Sequence, residues 1–218
     1  MYLERRVLYD TGDLLNIYRT SLQGRRERGK RPRKRRAPLS GARIFFEAMN
    51  TERVIVTHLQ RQFEAAYRGS RWHSLRAALK GVKPDEATWQ PPHYKGFPWA
   101  KGSIVEIVFH VAGDTLYQLD YAFGARTLTW ATLTERFQRD GGDLKAAQKL
   151  LDEGFSAVQQ YLDGLTDADL TRTYIAPDGK TQRTFGELFQ MLLEHCFYHA
   201  GQIVYIRNLW AGFHPPPP

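Results

Sequence analysis

The sequence predicts an all-α protein built as a four-helix bundle, and three observations carry that expectation. Four long stretches repeat apolar residues at helical spacing. Two of them open on a Ser/Thr-x-x-Glu capping box. Strand-like alternation is confined to one short run before the last helix. Each helix then has a single stripe to bury, and packing four such stripes together is the simplest way to bury them all.

The first helix is expected from Asn50, with Asn50 or Thr51 as its cap and Gly69 as its stop. Ile55, Leu59, Phe63 and Ala66 form its inward stripe. A short helical run follows on Trp72, Leu75 and Leu79. The stretch GVKPDEATWQPPHYKGFPWAKG, rich in Pro, Gly and aromatics, is expected to be a long ordered connection whose tryptophans need burial. The second helix opens on the Ser103/Glu106 capping box and runs to about Phe123, with Ile104, Ile107, Val108 and Val111 inward. The third runs from about Asp143 to Leu162, with Leu144, Leu151, Phe155, Val158 and Leu162 inward. A hairpin or turn is expected around Asp178-Gly179. The fourth helix opens on the Thr184/Glu187 box and carries Leu188, Leu192, His195, His199, Ile203 and Ile206 on one face, fading after Trp210.

The domain is therefore expected over residues 50–212, followed by a Pro-rich tail, 213–218. Residues 1–49 are expected to be a basic, disordered extension, with Met49 as an alternative start of translation. Between Ser21 and Pro38 stand nine Lys or Arg and one Glu, a surplus of eight that equals the net charge of the whole chain. The folded part is thus neutral overall, and nucleic acid is a candidate partner only through residues 21–38. No run of residues is apolar and long enough for a membrane span, and the N-terminus has no apolar signal region, so the expected location is cytoplasmic. One cysteine, Cys196, excludes an internal disulfide.

His195 and His199, in EHCFYHAGQ, are four residues apart and leave the same face of one helix. That spacing suits a metal site, which needs at least one more ligand. His110, on the inward side of the second helix, is the best third. Three imidazoles would hold a divalent ion, Zn²⁺ or Ni²⁺ rather than Mg²⁺, and leave positions open. Spacing alone leaves hydrogen-bonded core histidines as the other reading. Asp114, four residues after His110, and Gln202, three after His199, are candidates to orient an imidazole or a bound ligand. His58 could face the site from the first helix, and Arg207 could meet an anionic substrate or stand in solvent. Tyr198 and Tyr205 are expected to be packing residues, His73, His93 and His214 surface residues, and Cys196 points away from the pair.

Three stretches carry a resemblance: SRWHSLRAALKGVKPDEATWQPP, SIVEIVFHVAGDTLYQLDYAFG and TFGELFQMLLEHCFYHAGQIVYIRNLW. With a histidine on the second helix and H-x-x-x-H-x-G-Q on the fourth, the chain resembles the DinB-like superfamily of metal-binding four-helix bundles, over about Asn50 to Trp210. The resemblance implies up-down-down-up connectivity, a metal held by His110, His195 and His199, and frequently a homodimer. It also implies either thiol S-transferase or isomerase activity with a low-molecular-weight thiol such as bacillithiol or mycothiol, or metal-dependent hydrolysis, on a small-molecule substrate. It transfers no particular substrate.

Overall fold

Helix α1 (Val54–Glu64) continues into a π turn, Ala65–Gly69, and together they bury Val56, Leu59, Phe63, Ala66 and Tyr67. The computed structural model describes residues 52–69, 74–92 and 101–215, all in the second of the two units into which the chain divides, 41–218. Asn50, Thr51, Trp72, the basic tract and the end of the Pro-rich tail lie outside the described residues. The stripe of α1 differs from expectation at its start: Ile55 is 55% exposed and Val56 is buried instead. The reason is a cap supplied from far along the chain. The Asp167 carboxylate accepts from the backbone N–H groups of Ile55 (3.0 Å) and Val56 (2.9 Å), while Arg53 at the N-cap makes no side-chain cap bond. That anchor sets the helix phase.

Helix α2 (Leu75–Leu79) starts on Ser74, whose hydroxyl accepts from Ala77 N–H, and buries Leu75, Ala78 and Leu79. The long connection contains a short helix, α3 (Pro84–Thr88), with Pro84 at its first position. Trp89 beyond it packs against Trp210 and Phe213. Helix α4 (Ile104–Phe123) has the expected box: Ser103 Oγ accepts from Glu106 N–H and the Glu106 carboxylate accepts from Ser103 N–H. Helix α5 (Trp130–Arg139) is an element the sequence reading did not anticipate, capped by Thr129 and burying Leu133 and Phe137. Helix α6 (Leu144–Asp163) starts on Asp143, which accepts from Ala146 N–H at 2.8 Å. Strands β1 (Thr173–Ile175) and β2 (Gln182–Thr184) pair antiparallel, and the turn between them holds Asp178 and Gly179. Gly179 has φ +71°, and the Asp178 carboxylate accepts from Lys180 and Thr181 N–H. Helix α7 (Phe185–Phe213) carries the second capping box, Thr184/Glu187, and runs three residues past Trp210.

Side-chain contacts fix the helix directions. Val105 shares a cleft with Asp143 and Leu144, Thr115 lies against Gly154, and Phe123 stacks on Tyr161, so α4 and α6 run parallel. Arg53 donates to the carbonyls of Leu162 and Leu165, while Tyr67 OH bonds Asp152, so α1 runs antiparallel to α6. Phe123 meets Phe185 and Phe189 as His110 meets His195, so α4 and α7 are antiparallel. Phe63 meets Phe189 while Tyr67 and Cys196 line one gap, so α1 and α7 are parallel. The result is an up-down-down-up bundle of α1, α4, α6 and α7. Its buried Leu, Ile and Phe side chains each contribute about 1.5–3 kcal/mol of apolar transfer. Among the described residues no helix is long and apolar enough to cross a membrane.

Candidate metal centre

The antiparallel contact of α4 and α7 brings three imidazoles together. His195 and His199, one turn apart on α7, meet His110 from the first half of α4. His195 Nε2 lies 3.0 Å from His110 Nε2 and 2.8 Å from His199 Nε2. The potential ligand atoms of the three all fall within 4.8 Å of one another. His199 is buried, at 1% exposure, and the other two are half-buried.

The outer nitrogens decide which way the lone pairs point. His199 Nδ1 is 2.7 Å from Gln202 Oε1, an amide carbonyl that can only accept. His199 therefore carries its proton on Nδ1 and turns a bare Nε2 inward. Gln202 is held in turn, because its Nε2 donates to Tyr198 OH at 2.9 Å. His195 Nδ1 is 3.3 Å from Asp114 Oδ2, an electrostatic contact not aligned as a hydrogen bond. With its proton on Nδ1, facing that carboxylate, His195 turns Nε2 inward as His199 does; with the proton on Nε2 it donates to His199 instead. Asp114 thus reaches across to the opposite helix, to His195. Its other oxygen accepts from Gln118 Nε2 at 3.3 Å. Burial raises the Asp114 carboxyl, against the Gln118 hydrogen bond and the positive charge of Arg183.

In the first arrangement two bare nitrogens lie 2.8 Å apart and repel unless a cation sits between them. A proton is a poor candidate. Burial, then the His195 and His199 charges, lowers His110 to about 3. Burial lowers His195 to about 4. Burial and the His195 charge lower His199 to about 4, with the Gln202 bond acting in the opposite sense. A divalent ion fits the donor set. Tetrahedral Zn–N bonds of about 2.0–2.1 Å place neighbouring nitrogens about 3.3 Å apart, a few tenths of an ångström wider than seen here.

Other candidates fall elsewhere. His58 is exposed on α1 and outside the cluster. Arg207 is neither a solvated side chain nor turned to the histidines: it donates to Glu86 Oε1 (2.7 Å) and to the carbonyls of Ala78 and Lys80, pinning α7 to α2 and α3. Tyr198 and Tyr205 are not packing residues, at 56% and 65% exposed, and Tyr198 serves Gln202 instead. Cys196 turns into the apolar interior, where burial first and the Asp114 charge second push its thiol up to about 12. His214 is exposed and stacks on Trp210, while His73 and His93 lie outside the described residues.

One neighbour of the centre escaped the sequence reading. Trp130, the first residue of α5, lies nearly parallel to the His110 ring, centroids 6.0 Å apart and planes 14° apart. Its signal was the Trp130, Leu133, Phe137 spacing behind a Thr cap, short but helical.

Fold and site together define a class: a four-helix bundle with a converged histidine triad between two antiparallel helices. The family model of the DinB superfamily matches residues 69–203, and the chain belongs to that superfamily, which is often metal-binding. Neither a curated protein nor a solved structure matches the chain.

Proposed function

We propose that the chain is a metal-dependent enzyme, a thiol S-transferase acting on a small electrophile, with His110, His195 and His199 as ligands of one divalent ion. The observation that carries this is the convergence of three imidazole nitrogens, with Gln202 bonded behind His199 and the Asp114 carboxylate behind His195. A divalent ion on three neutral imidazoles keeps its positive charge and lowers the pKa of a thiol or water bound to it.

The chain's own residues supply the rest. Burial holds the imidazoles neutral, so no proton must leave a ligand before the ion binds, and Gln202 and Asp114 orient the rings. The apolar wall of the bundle keeps water from the inner side of His199. Among the described residues Cys196 offers no competing thiolate, because its sulfur faces the core. The nucleophile is therefore a thiol that arrives with the substrate. The expected state is a homodimer, measured by sedimentation velocity.

The test is elemental analysis followed by a thiol panel. Purified protein should hold about one Zn²⁺ or Ni²⁺ per chain, and His195→Ala/His199→Ala should hold none. Bacillithiol, mycothiol, glutathione and cysteine are then offered with small electrophiles, using wild type and His110→Ala. His110-dependent consumption of thiol supports the transferase. His110-dependent cleavage of an ester or amide without thiol replaces it with a hydrolase. Full metal occupancy in the double variant removes the centre.

A further inference from the structure

Trp130 rests on the backbone of α4 at Gly113. A Cβ placed on Gly113 would come 2.7 Å from the indole Cζ3 and 3.1 Å from Cη2. Gly113 lies one turn after His110 and is buried, with an ordinary helical φ. Glycine is unfavourable in mid-helix by about 0.5–1 kcal/mol relative to alanine, and no positive φ demands it here. What demands it is the indole. Phe109 meets the Trp130 ring edge-on at 6.2 Å and Tyr117 meets it tilted at 6.1 Å. Phe109, Gly113 and Tyr117, each one turn apart on α4, form a slot with a glycine floor. The indole in that slot lies flat beside His110. Leu133 and Phe137 bury α5 against the bundle, so the helix that delivers Trp130 is itself fixed. Trp130 remains 37% exposed.

We propose that Trp130, seated on Gly113, is a positioning residue for the metal centre: it holds the His110 ring in its ligating orientation. The proposal rests on the metal-centre reading above. His199 and His195 are each oriented by a partner from α7 or α4, Gln202 and Asp114 respectively, and Trp130 supplies a flat wall for His110.

The test measures Zn²⁺ affinity by chelator competition, and the Co²⁺ visible spectrum, on the full chain. Trp130→Ala is expected to weaken Zn²⁺ binding about tenfold or more, the usual cost of losing a ligand's support, and to change the Co²⁺ spectrum. Trp130→Phe, which keeps a flat ring, restores most of the affinity. Gly113→Ala is the decisive variant, because it favours the helix yet dislodges the indole. Its melting temperature should hold or rise while Zn²⁺ affinity falls, and it should add no further loss on top of Trp130→Ala. Wild-type affinity and spectrum in both single variants overturn the proposal, as does a Gly113→Ala loss that adds fully to that of Trp130→Ala. Wild-type protein that takes up no metal sinks the centre itself, and the role of Trp130 with it.

Discussion

His199 shows how much a single residue's chemistry rests on its neighbour. Gln202 Oε1 accepts the hydrogen bond from His199 Nδ1–H, and that one bond leaves the other nitrogen free to act as a ligand. Gln202→Ala should therefore cost about 10–100-fold in metal affinity with little change in helix content, measured by metal competition and circular dichroism. The pH behaviour follows from the depressed histidines. Protons compete with a metal only below the folded-state pKa values, about 3 to 4. Metal affinity should stay flat from neutral pH down to about 5.5, whereas exposed histidines would lose it from about 6.5. Stability of the metal-free protein runs with the same sign. Its unfolded chain takes up protons below about 6.5 that the folded state refuses, so stability is complete above that pH and declines towards 3 to 4. Affinity that falls tenfold per unit between pH 7 and 6 would contradict the burial of the triad. The i, i+4 pair was legible because helix spacing dictates where both rings point. The partner of Asp114 was not, since it belongs to the opposite helix and no local spacing encodes it.

The starts of three long helices capped from within were legible in the sequence. Ser103/Glu106, Asp143 and Thr184/Glu187 set the starts of α4, α6 and α7 by contacts three residues apart. Helix α1 departs from that rule, because its cap is Asp167, more than a hundred residues away. No pattern near Asn50 carries that information, which is why Ile55 was expected inward and Val56 takes its place. Asp167→Ala should destabilise the protein by about 1–2 kcal/mol, as N-cap losses do, read from denaturant midpoints. Protection of the α1 amides in hydrogen exchange should fall while that of α7 follows only the global change. If α1 and α7 amides respond alike, the cap acts on the whole fold and the local account fails. Helix α5 was missed for another reason: at ten residues it holds only Leu133 and Phe137 fully inside, too few turns for the pattern to stand out.

At the scale of the whole molecule, charge and packing divide the chain at different strengths. The surplus of eight positive charges sits between Ser21 and Pro38, and the remainder is balanced. Several contacts that close the described bundle join residues far apart within 52–215: Arg53 to the Leu162 and Leu165 carbonyls, Asp167 to the start of α1, and Arg207 to Glu86. The histidine triad, its two orienting partners and Trp130 lie within the same range. A chain beginning at Met49 should then fold, melt at nearly the temperature of the full chain and take up the same metal. Any affinity for nucleic acid should depend on the nine basic residues between Ser21 and Pro38, which this shortening removes with the rest of the extension, and it should fall steeply with salt in the full chain. The two properties separate cleanly in one experiment. Metal content and a salt series of DNA binding are measured on both chains. Retained metal with lost DNA binding places the catalytic proposal in the bundle and any nucleic-acid role in the basic tract. Loss of metal or solubility on removing residues 1–48 would mean that the bundle draws part of its core from them, and that the balanced charge of the rest is no guide to where the folded unit starts.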